Sequence, residues 1–208
     1  MSPETLQGFF ESAQGQIIIL IILSITFAAI LFKGRSEKID TKMLVVSAIL
    51  IALSIVLNQI TLFRMPQGGS ITAFSMLPIV LCGYLYGVRR GVLAGICVGL
   101  LNLIFNPFVI HPLQLILDYP FAFGALGFAG FLRQAKAGLI KGYLLGIFAR
   151  YVCSVLSGIL FFGSYAPEGF NAITWSVYYN LTYIAAEGAL TLLVLSSPAV
   201  RRAIEKMK

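Results

Sequence analysis

Apolar residues fill seven segments of the 208-residue chain, and short polar stretches separate these segments. Each segment approaches the roughly 20 apolar residues that a helix needs to cross a bilayer. The pattern therefore predicts seven membrane helices, at about 16–33, 42–62, 72–88, 91–106, 112–132, 142–163 and 173–196. We interpret the first segment as a helix rather than a signal peptide, because no basic stretch precedes it and no small-residue cleavage site follows it.

The composition excludes an ordinary soluble domain. Hydrophobic residues make up 59% of the chain and charged residues only 11%, whereas about a quarter of the residues in a soluble domain are charged. The three cysteines lie in apolar segments and lack the spacing of a metal site or a disulfide framework. The sequence has no phosphate-binding loop and no motif of a zinc protease or serine hydrolase. We therefore expect a membrane protein that is not an enzyme and has no metal or cofactor.

Basic residues alternate between the predicted loops. Thirteen lysines and arginines fall at 33–42, 89–90, 133–141 and 201–208, and the opposite loops hold only Arg64. Cytoplasmic loops carry the excess of positive charge, so we expect the N-terminus outside and the C-terminus in the cytoplasm. This placement explains the net charge of +7 better than nucleic-acid binding does.

Polar side chains recur at helical spacing in the last two segments. One stripe consists of the charge of Arg150, the hydroxyls of Ser154 and Ser157 and the ring of Phe161, and the other of Ser176, Asn180, Tyr183 and Glu187. Hydrocarbon offers these groups no hydrogen-bond partner, so the stripes should face each other or a cavity. The aromatic loop 163–170 between the two segments is where we expect a ligand to enter.

Three charges lie inside predicted helices. Arg150 and Glu187 fall at matching depth, so we predict a structural ion pair between them, with a role in ion coupling as the alternative. Asp118 lies nearer the outer surface, at a level where no predicted helix carries a lysine or arginine. A buried carboxylate needs a partner, and we expect an organic cation held between aromatic rings. Alternatively, Asp118 is protonated, or it reaches outside water and the Pro66 loop.

Two short motifs have more than one interpretation. The segment Arg64–Ser70 contains a proline and paired glycines, which predict a turn that serves either as a connector or as a lid or wall over a ligand. Ala48 and Ala52 form a small-xxx-small pair, equally suited to internal packing and to docking another membrane protein. Gly91, Gly95 and Gly99 at the same spacing predict close packing of their helix inside the protein.

Three segments make the chain resemble a known family. They are 65–70 (MPQGGS), 111–119 (HPLQLILDY) and 157–169 (SGILFFGSYAPEG) with the following Tyr179-Asn180. With them, residues 43–195 resemble the thiamine-specific substrate-binding subunits, or S-components, of energy-coupling factor (ECF) vitamin transporters. The resemblance implies a six-helix all-α membrane fold that binds thiamine near the outer face of the cell membrane. It also implies a transmembrane coupling subunit and two ATPase subunits as partners.

The resemblance also implies roles for individual residues. Asp118 matches the acidic residue that faces the thiazolium ring, Tyr119 its aromatic neighbour, and Asn180 a polar contact to the pyrimidine. Gly158 lies in the stretch that lines the ligand, and Ala48 and Ala52 match the motif that docks the coupling subunit. Three positions depart from the family: Ser154 stands where members usually have histidine, Phe162 where some have tryptophan, and Trp175 where a tyrosine is expected.

The predicted organisation follows from these observations. Residues 1–41 form an additional N-terminal membrane helix and a basic cytoplasmic loop, 42–200 the six-helix binding domain, and 201–208 a basic cytoplasmic tail. The predicted function is that of a thiamine-binding subunit of an ATP-driven importer. Because the pocket departs from the family, a thiamine precursor or a related heteroaromatic cation remains an alternative ligand. A secondary carrier that acts alone and a membrane scaffold are the alternatives of a different class.

Overall fold

The structure, a computed structural model, describes residues 8, 9, 12–32 and 40–208. Its helices are α1 (Ala13–Phe32), α2 (Thr41–Gln59), α3 (Met76–Tyr86), α4 (Val88–Phe105), α5 (Pro112–Leu132), α6 (Gly138–Phe161), α7 (Ala172–Ser196) and α8 (Pro198–Glu205). Strands β1 (Thr61–Arg64) and β2 (Ser70–Thr72) pair antiparallel as a hairpin between α2 and α3. Most of the predicted basic loop at 33–42 lies outside the described residues, at 33–39.

The predicted helical membrane architecture is confirmed, but its details differ. Five described helices are long and apolar enough to cross a bilayer, and α7 with α8, which meet at 83°, would make a sixth. The predicted helix at 72–88 is shorter, because α3 has only 11 residues and the hairpin occupies the preceding segment. The predicted basic tail at 201–208 belongs mostly to α8.

Glycines bring α4 against its neighbours, as the sequence predicted. A Cβ atom at Gly91 would lie 2.8 Å from the Cα atom of Gly127 on α5. A Cβ atom at Gly95 or at Gly99 would collide with the carbonyl oxygen of Phe123 or of Tyr119. Because these backbones are almost in contact, only glycine fits at the three positions. The close packing fixes α5 against α4.

Helix α5 is irregular near its middle. Pro112 begins its first turn, where the missing N–H group costs nothing. A π-helical turn covers Leu117–Phe121, and Pro120 lies within it. Proline removes a backbone donor and clashes with the preceding turn, which accounts for the widened geometry. Asp118 lies in this widened turn.

The additional helix α1 packs beside the irregular part of α5. The ring of Phe27 is 4% exposed and lies 4.8 Å from the ring of Phe121 and 5.6 Å from that of Phe128. Leu20, also buried, belongs to a cluster with Leu117. The opposite face of α1 is exposed, as expected for a helix that faces lipid.

Candidate ligand-binding site

A cavity of about 530 Å³ lies between α5, α6, α7 and the β-hairpin. Its size is within the range of small-molecule pockets. The seven residues that the resemblance assigned to the ligand all line it: Asp118, Tyr119, Ser154, Gly158, Phe162, Trp175 and Asn180. In the described residues, no group of three His, Cys, Asp or Glu side chains is placed to hold a metal ion.

Asp118 faces the cavity and accepts a side-chain hydrogen bond from Gln114, while Ser157 and Arg150 lie near enough to interact with its carboxylate. Its Oδ2 atom accepts a hydrogen bond of 2.5 Å from the amide of Gln114, one turn earlier on α5. Gln114 is 1% exposed, and it also bonds the backbone of Phe108 and Ile110. A carboxylate accepts several hydrogen bonds, so Asp118 retains acceptor capacity toward the cavity. The alternative contact with the Pro66 loop does not form.

The hydroxyl of Tyr119 bonds to the loop between α4 and α5. Its hydroxyl accepts a bond from the Phe108 amide at 2.7 Å and donates to the Asn106 carbonyl at 3.1 Å. Its side chain is 6% exposed. Tyr119 therefore offers the cavity its ring rather than its hydroxyl, and it positions the loop that carries Phe108.

The helices α6 and α7 meet in a polar seam behind the cavity. A Cβ atom at Gly158 would collide with Ser176, so the predicted small residue is required here by helix packing. Asn180 donates to the Ser176 carbonyl at 2.9 Å, and its Oδ1 atom accepts from Tyr183 at 2.8 Å. These bonds hold the Asn180 amide in one orientation while leaving Oδ1 a second acceptor position.

Ser157 provides an unused polar group in this seam. It lies on α6, one turn beyond Ser154, and its side chain is 1% exposed. Its hydroxyl is buried, makes no well-formed hydrogen bond in the described part of the chain and lies near the Asp118 carboxylate. A buried hydroxyl without a partner is unfavourable, and a bound ligand would supply one.

The tip of the hairpin closes over the cavity. The Trp175 indole donates to the side chain of Gln67 at 3.1 Å, and the Tyr179 hydroxyl accepts from the amides of Gln67 and Gly69, both at 3.1 Å. Gly68 has φ of +86° and approaches the ring of Phe108 so closely that a Cβ atom would lie 2.8 Å from it. Side chains of α7 thus hold the Pro66 loop as a wall of the cavity, one of its two predicted roles.

Aromatic rings form much of the remaining wall. Phe162 stacks on Phe108 with 6.1 Å between the ring centroids, and Trp175 lies 5.6 Å from Tyr179. Phe123 lines the inner end. Ring faces of this kind attract cations and flat heterocycles.

The prediction that no cation lies near Asp118 is wrong, because of Arg150. It lines the same cavity as Asp118, although the sequence placed no cation at the level of that carboxylate. The error came from counting depth along straight helices, because the cavity extends inward as far as Phe123. The Arg150 guanidinium lies 4.2 Å from the Phe123 ring, and its Nε and Nη1 atoms are buried without hydrogen-bond partners among the described residues.

The predicted ion pair between Arg150 and Glu187 does not form. Glu187 instead accepts hydrogen bonds from the backbone and hydroxyl of Thr72, from the Ser75 hydroxyl and from the Met76 amide. The N-terminus of α3 provides free amides and the positive end of the helix dipole. Because α3 is short, this terminus reaches Glu187 inside the protein. Glu187 therefore fixes the base of the hairpin.

Sequence reasoning missed Gln114 and Gln67 as parts of the site. Gln114 lies four residues before Asp118, and this helical spacing could have indicated the bond between them. Gln67 lies 108 positions before Trp175, and nothing in the local sequence indicates that the two side chains meet.

Comparisons with known proteins identify the family. The model of the family "Thiamine transporter protein (Thia_YuaJ)" matches residues 44–206. The thiamine transporter ThiT of Bacillus subtilis (strain 168) is 37% identical, over 71% of this chain and 85% of the relative. ThiT of Lacticaseibacillus paracasei (strain ATCC 334) is 30% identical, over 59% of this chain and 69% of the relative.

A solved structure has a similar fold. The structure of ThiT from Listeria monocytogenes has a TM-score of 0.62 and 26% sequence identity, and the match covers 76% of this chain and 95% of that one. The helix α1 precedes the segment that the family model matches. The resemblance predicted from the sequence is confirmed: the chain belongs to the thiamine transporter family.

Proposed function

We propose that this protein binds thiamine in the cavity between α5, α6 and α7. The observation that carries the proposal is a carboxylate, Asp118, that faces an aromatic cavity of about 530 Å³ and accepts a hydrogen bond from the neutral amide of Gln114. Thiamine has a cationic thiazolium ring and a neutral aminopyrimidine ring. The thiazolium would lie against Asp118 and the surrounding ring faces.

Arg150 gives the aminopyrimidine ring a counterpart. Its unpartnered Nε and Nη1 groups can donate hydrogen bonds to the pyrimidine ring nitrogens, which are acceptors. Asn180 and the free Ser157 hydroxyl lie in the same lining. A ligand with a cationic end and a neutral accepting end therefore satisfies both Asp118 and Arg150 without placing its cation on the guanidinium.

The departures from the family bear on the choice of ligand. Ser154 is small and 7% exposed, so it leaves more room beside the pyrimidine than a histidine would. Thiamine remains the first choice, because Asp118 keeps the carboxylate. A thiamine precursor or another heteroaromatic cation is the alternative. Mass spectrometry of molecules that copurify with the protein distinguishes these ligands.

We also propose that the protein delivers its ligand as the S-component of an ECF importer in the prokaryotic plasma membrane, with its N-terminus outside. Ala48 and Ala52 are exposed on α2, beside the exposed side chains of Leu44 and Ile49. A small-xxx-small stripe on a free helix face permits close approach of another membrane helix, which here would belong to the coupling subunit. Two ATPase subunits would supply the energy.

Titration calorimetry of the purified protein in detergent tests the binding. We expect a one-to-one complex with thiamine, and no detectable binding at micromolar thiamine would refute the proposal. Uptake into proteoliposomes tests the transport role. We expect none from the chain alone and ATP-dependent uptake with the coupling and ATPase subunits, whereas uptake by the chain alone would show a secondary carrier.

A further inference from the structure

A second and smaller cavity lies at the end of the helix bundle that carries the α5–α6 connection, away from the hairpin. It has a volume of about 140 Å³ and lies between the end of α3, residues 133–140 and α8. The charged side chains that line it are Arg133, Arg201, Glu205 and Lys208. Three cations face one carboxylate, so the cavity carries a net positive charge.

The two arginines of this cavity have donors that the protein does not use. Arg133 donates through Nη2 to the Leu85 carbonyl at 2.9 Å, and Arg201 donates through Nη2 to the Ser196 carbonyl at 3.3 Å. The Nε atom of each is buried and has no hydrogen-bond partner in the described residues. Each guanidinium is thus held in place while one of its N–H groups lacks an acceptor. Such groups favour an anion with several oxygens, and phosphate fits guanidinium geometry well.

The neighbouring helix α8 has the character of an interfacial helix. It turns by 83° from α7, so it lies across the end of the bundle rather than along it. Ile204 is 7% exposed, and it and Val200 pack into the core, while Arg202 is exposed. An amphipathic helix with cations on its polar face lies at the level of lipid headgroups. The cavity beside α8 therefore lies where membrane phosphates are concentrated.

The surroundings of the cavity fit a lipid better than a free anion. A volume of 140 Å³ accommodates a headgroup phosphate but not acyl chains. Phe131, two residues before Arg133, is 56% exposed, and Leu193 near the end of α7 is 69% exposed. These apolar side chains lie on α5 and α7, the helices that lead into the two segments lining the cavity, and they offer acyl chains an exposed surface. Basic pockets between membrane helices bind anionic headgroups in this way.

We propose that this cavity binds the phosphodiester of an anionic glycerophospholipid, with Arg133 and Arg201 donating hydrogen bonds to the phosphate oxygens. The Lys208 ammonium already donates to the Arg133 carbonyl and lies 4.8 Å from the Tyr84 ring. We therefore expect Lys208 to form a wall of the cavity and the two arginines to provide the main contacts to the phosphate. Among the described residues that line the cavity, Glu205 is the one acidic side chain. It disfavours a second phosphate, so we expect one lipid for each protein.

Native mass spectrometry of the full chain in mild detergent tests this site. Phosphatidylglycerol is added to the wild type and to Arg133→Gln, Arg201→Gln and Arg202→Gln. The last variant is the matched control, because it removes an exposed arginine of the same helix that does not line the cavity. We expect one tightly held phosphatidylglycerol on the wild type and on Arg202→Gln, and at least a fivefold smaller bound fraction on the other two variants.

Two further arms distinguish the source of the phosphate. Phosphatidylcholine, which adds a positive group beside the same phosphodiester, should bind the wild type at least fivefold less than phosphatidylglycerol. Inorganic phosphate at the same concentration should neither bind nor displace the lipid.

Equal lipid binding by all variants, an equal loss in Arg202→Gln or displacement by phosphate would overturn the proposal. If Arg133→Gln aggregates on size exclusion because its bond to α3 is lost, Arg201→Gln and the two-lipid comparison decide. None of these outcomes depends on thiamine binding.

Discussion

Two carboxylates inside this protein have opposite surroundings. Glu187 is 3% exposed and accepts four hydrogen bonds from Thr72, Ser75 and Met76, so the folded chain already satisfies it. Asp118 accepts one side-chain bond, from Gln114, and faces a cavity. Both carboxylates look alike in the sequence, as single acidic residues within apolar segments. Their partners decide that Glu187 stabilises the fold and that Asp118 is available to a ligand.

The largest effect should come from Glu187→Gln. This change removes the charge and places an amide donor against donors, so we expect the free energy of unfolding to fall by about 3 kcal/mol or more. Thermal unfolding in detergent, followed by circular dichroism, measures the loss. Glu168→Gln, an exposed loop residue, is the control and should unfold like the wild type. A normal unfolding temperature for Glu187→Gln would mean that its four bonds contribute little.

The next effect concerns Asp118→Asn. The shape of the cavity is kept but its negative charge is lost, so thiamine affinity should fall by about 2–5 kcal/mol, or roughly 30-fold or more. Its unfolding temperature should stay close to that of the wild type, the reverse of the result for Glu187→Gln. Asp40→Asn at the start of α2 is the control for calorimetry. Unchanged affinity would remove Asp118 from the binding site.

Arg150 extends the comparison, because its positive charge lines the same cavity as Asp118. We expect Arg150→Gln to weaken thiamine binding by about 1.5–3 kcal/mol, since donors to the pyrimidine ring are lost. Arg150→Lys should retain part of the affinity, because an ammonium group still donates but does not stack flat on Phe123. Titration calorimetry compares the two variants. Tighter binding by Arg150→Gln would show that the guanidinium repels the ligand instead.

The smallest effect should come from the hairpin tip. Gln67→Ala removes the acceptor of the Trp175 indole but keeps the backbone bond to Tyr179, so thiamine should dissociate about fivefold faster. Trp175 is the single tryptophan of the chain, and its fluorescence in stopped flow reports the rate. Gln134→Ala, near the opposite end of the bundle, is the control. An unchanged dissociation rate would show that the tip does not retain the ligand.

The sequence indicated much of the fold, because a membrane helix is specified locally by its own apolar residues. The spans of α1, α2, α4, α5 and α6 follow from hydrophobic length alone. The hairpin was missed because its strands are only four and three residues long, too short for a clear alternating pattern. The predicted length of α3 was wrong for the same reason, because the sequence analysis assigned part of the hairpin to this helix.

For the candidate site, the sequence predicted the lining positions but not the partners of the charged side chains. Four of its seven assigned positions match the family and three depart from it, and the structure gathers all seven around one cavity. The partners of the charges depend on tertiary structure, so local spacing misassigned them. Glu187 bonds to Thr72, 115 residues away, and Arg150 reaches the cavity of Asp118. Depth along straight helices does not predict such contacts when a short helix and a π-turn intervene.

The role of Asp118 as the partner of a cationic ring can be tested with two ligands and two proteins. Titration calorimetry compares thiamine with a neutral isostere, in which carbon replaces the charged thiazolium nitrogen, on the wild type and on Asp118→Asn. We predict that the wild type prefers thiamine by more than tenfold and that the variant loses this preference. An equal preference for thiamine in both proteins would show that Asp118 does not recognise the positive charge.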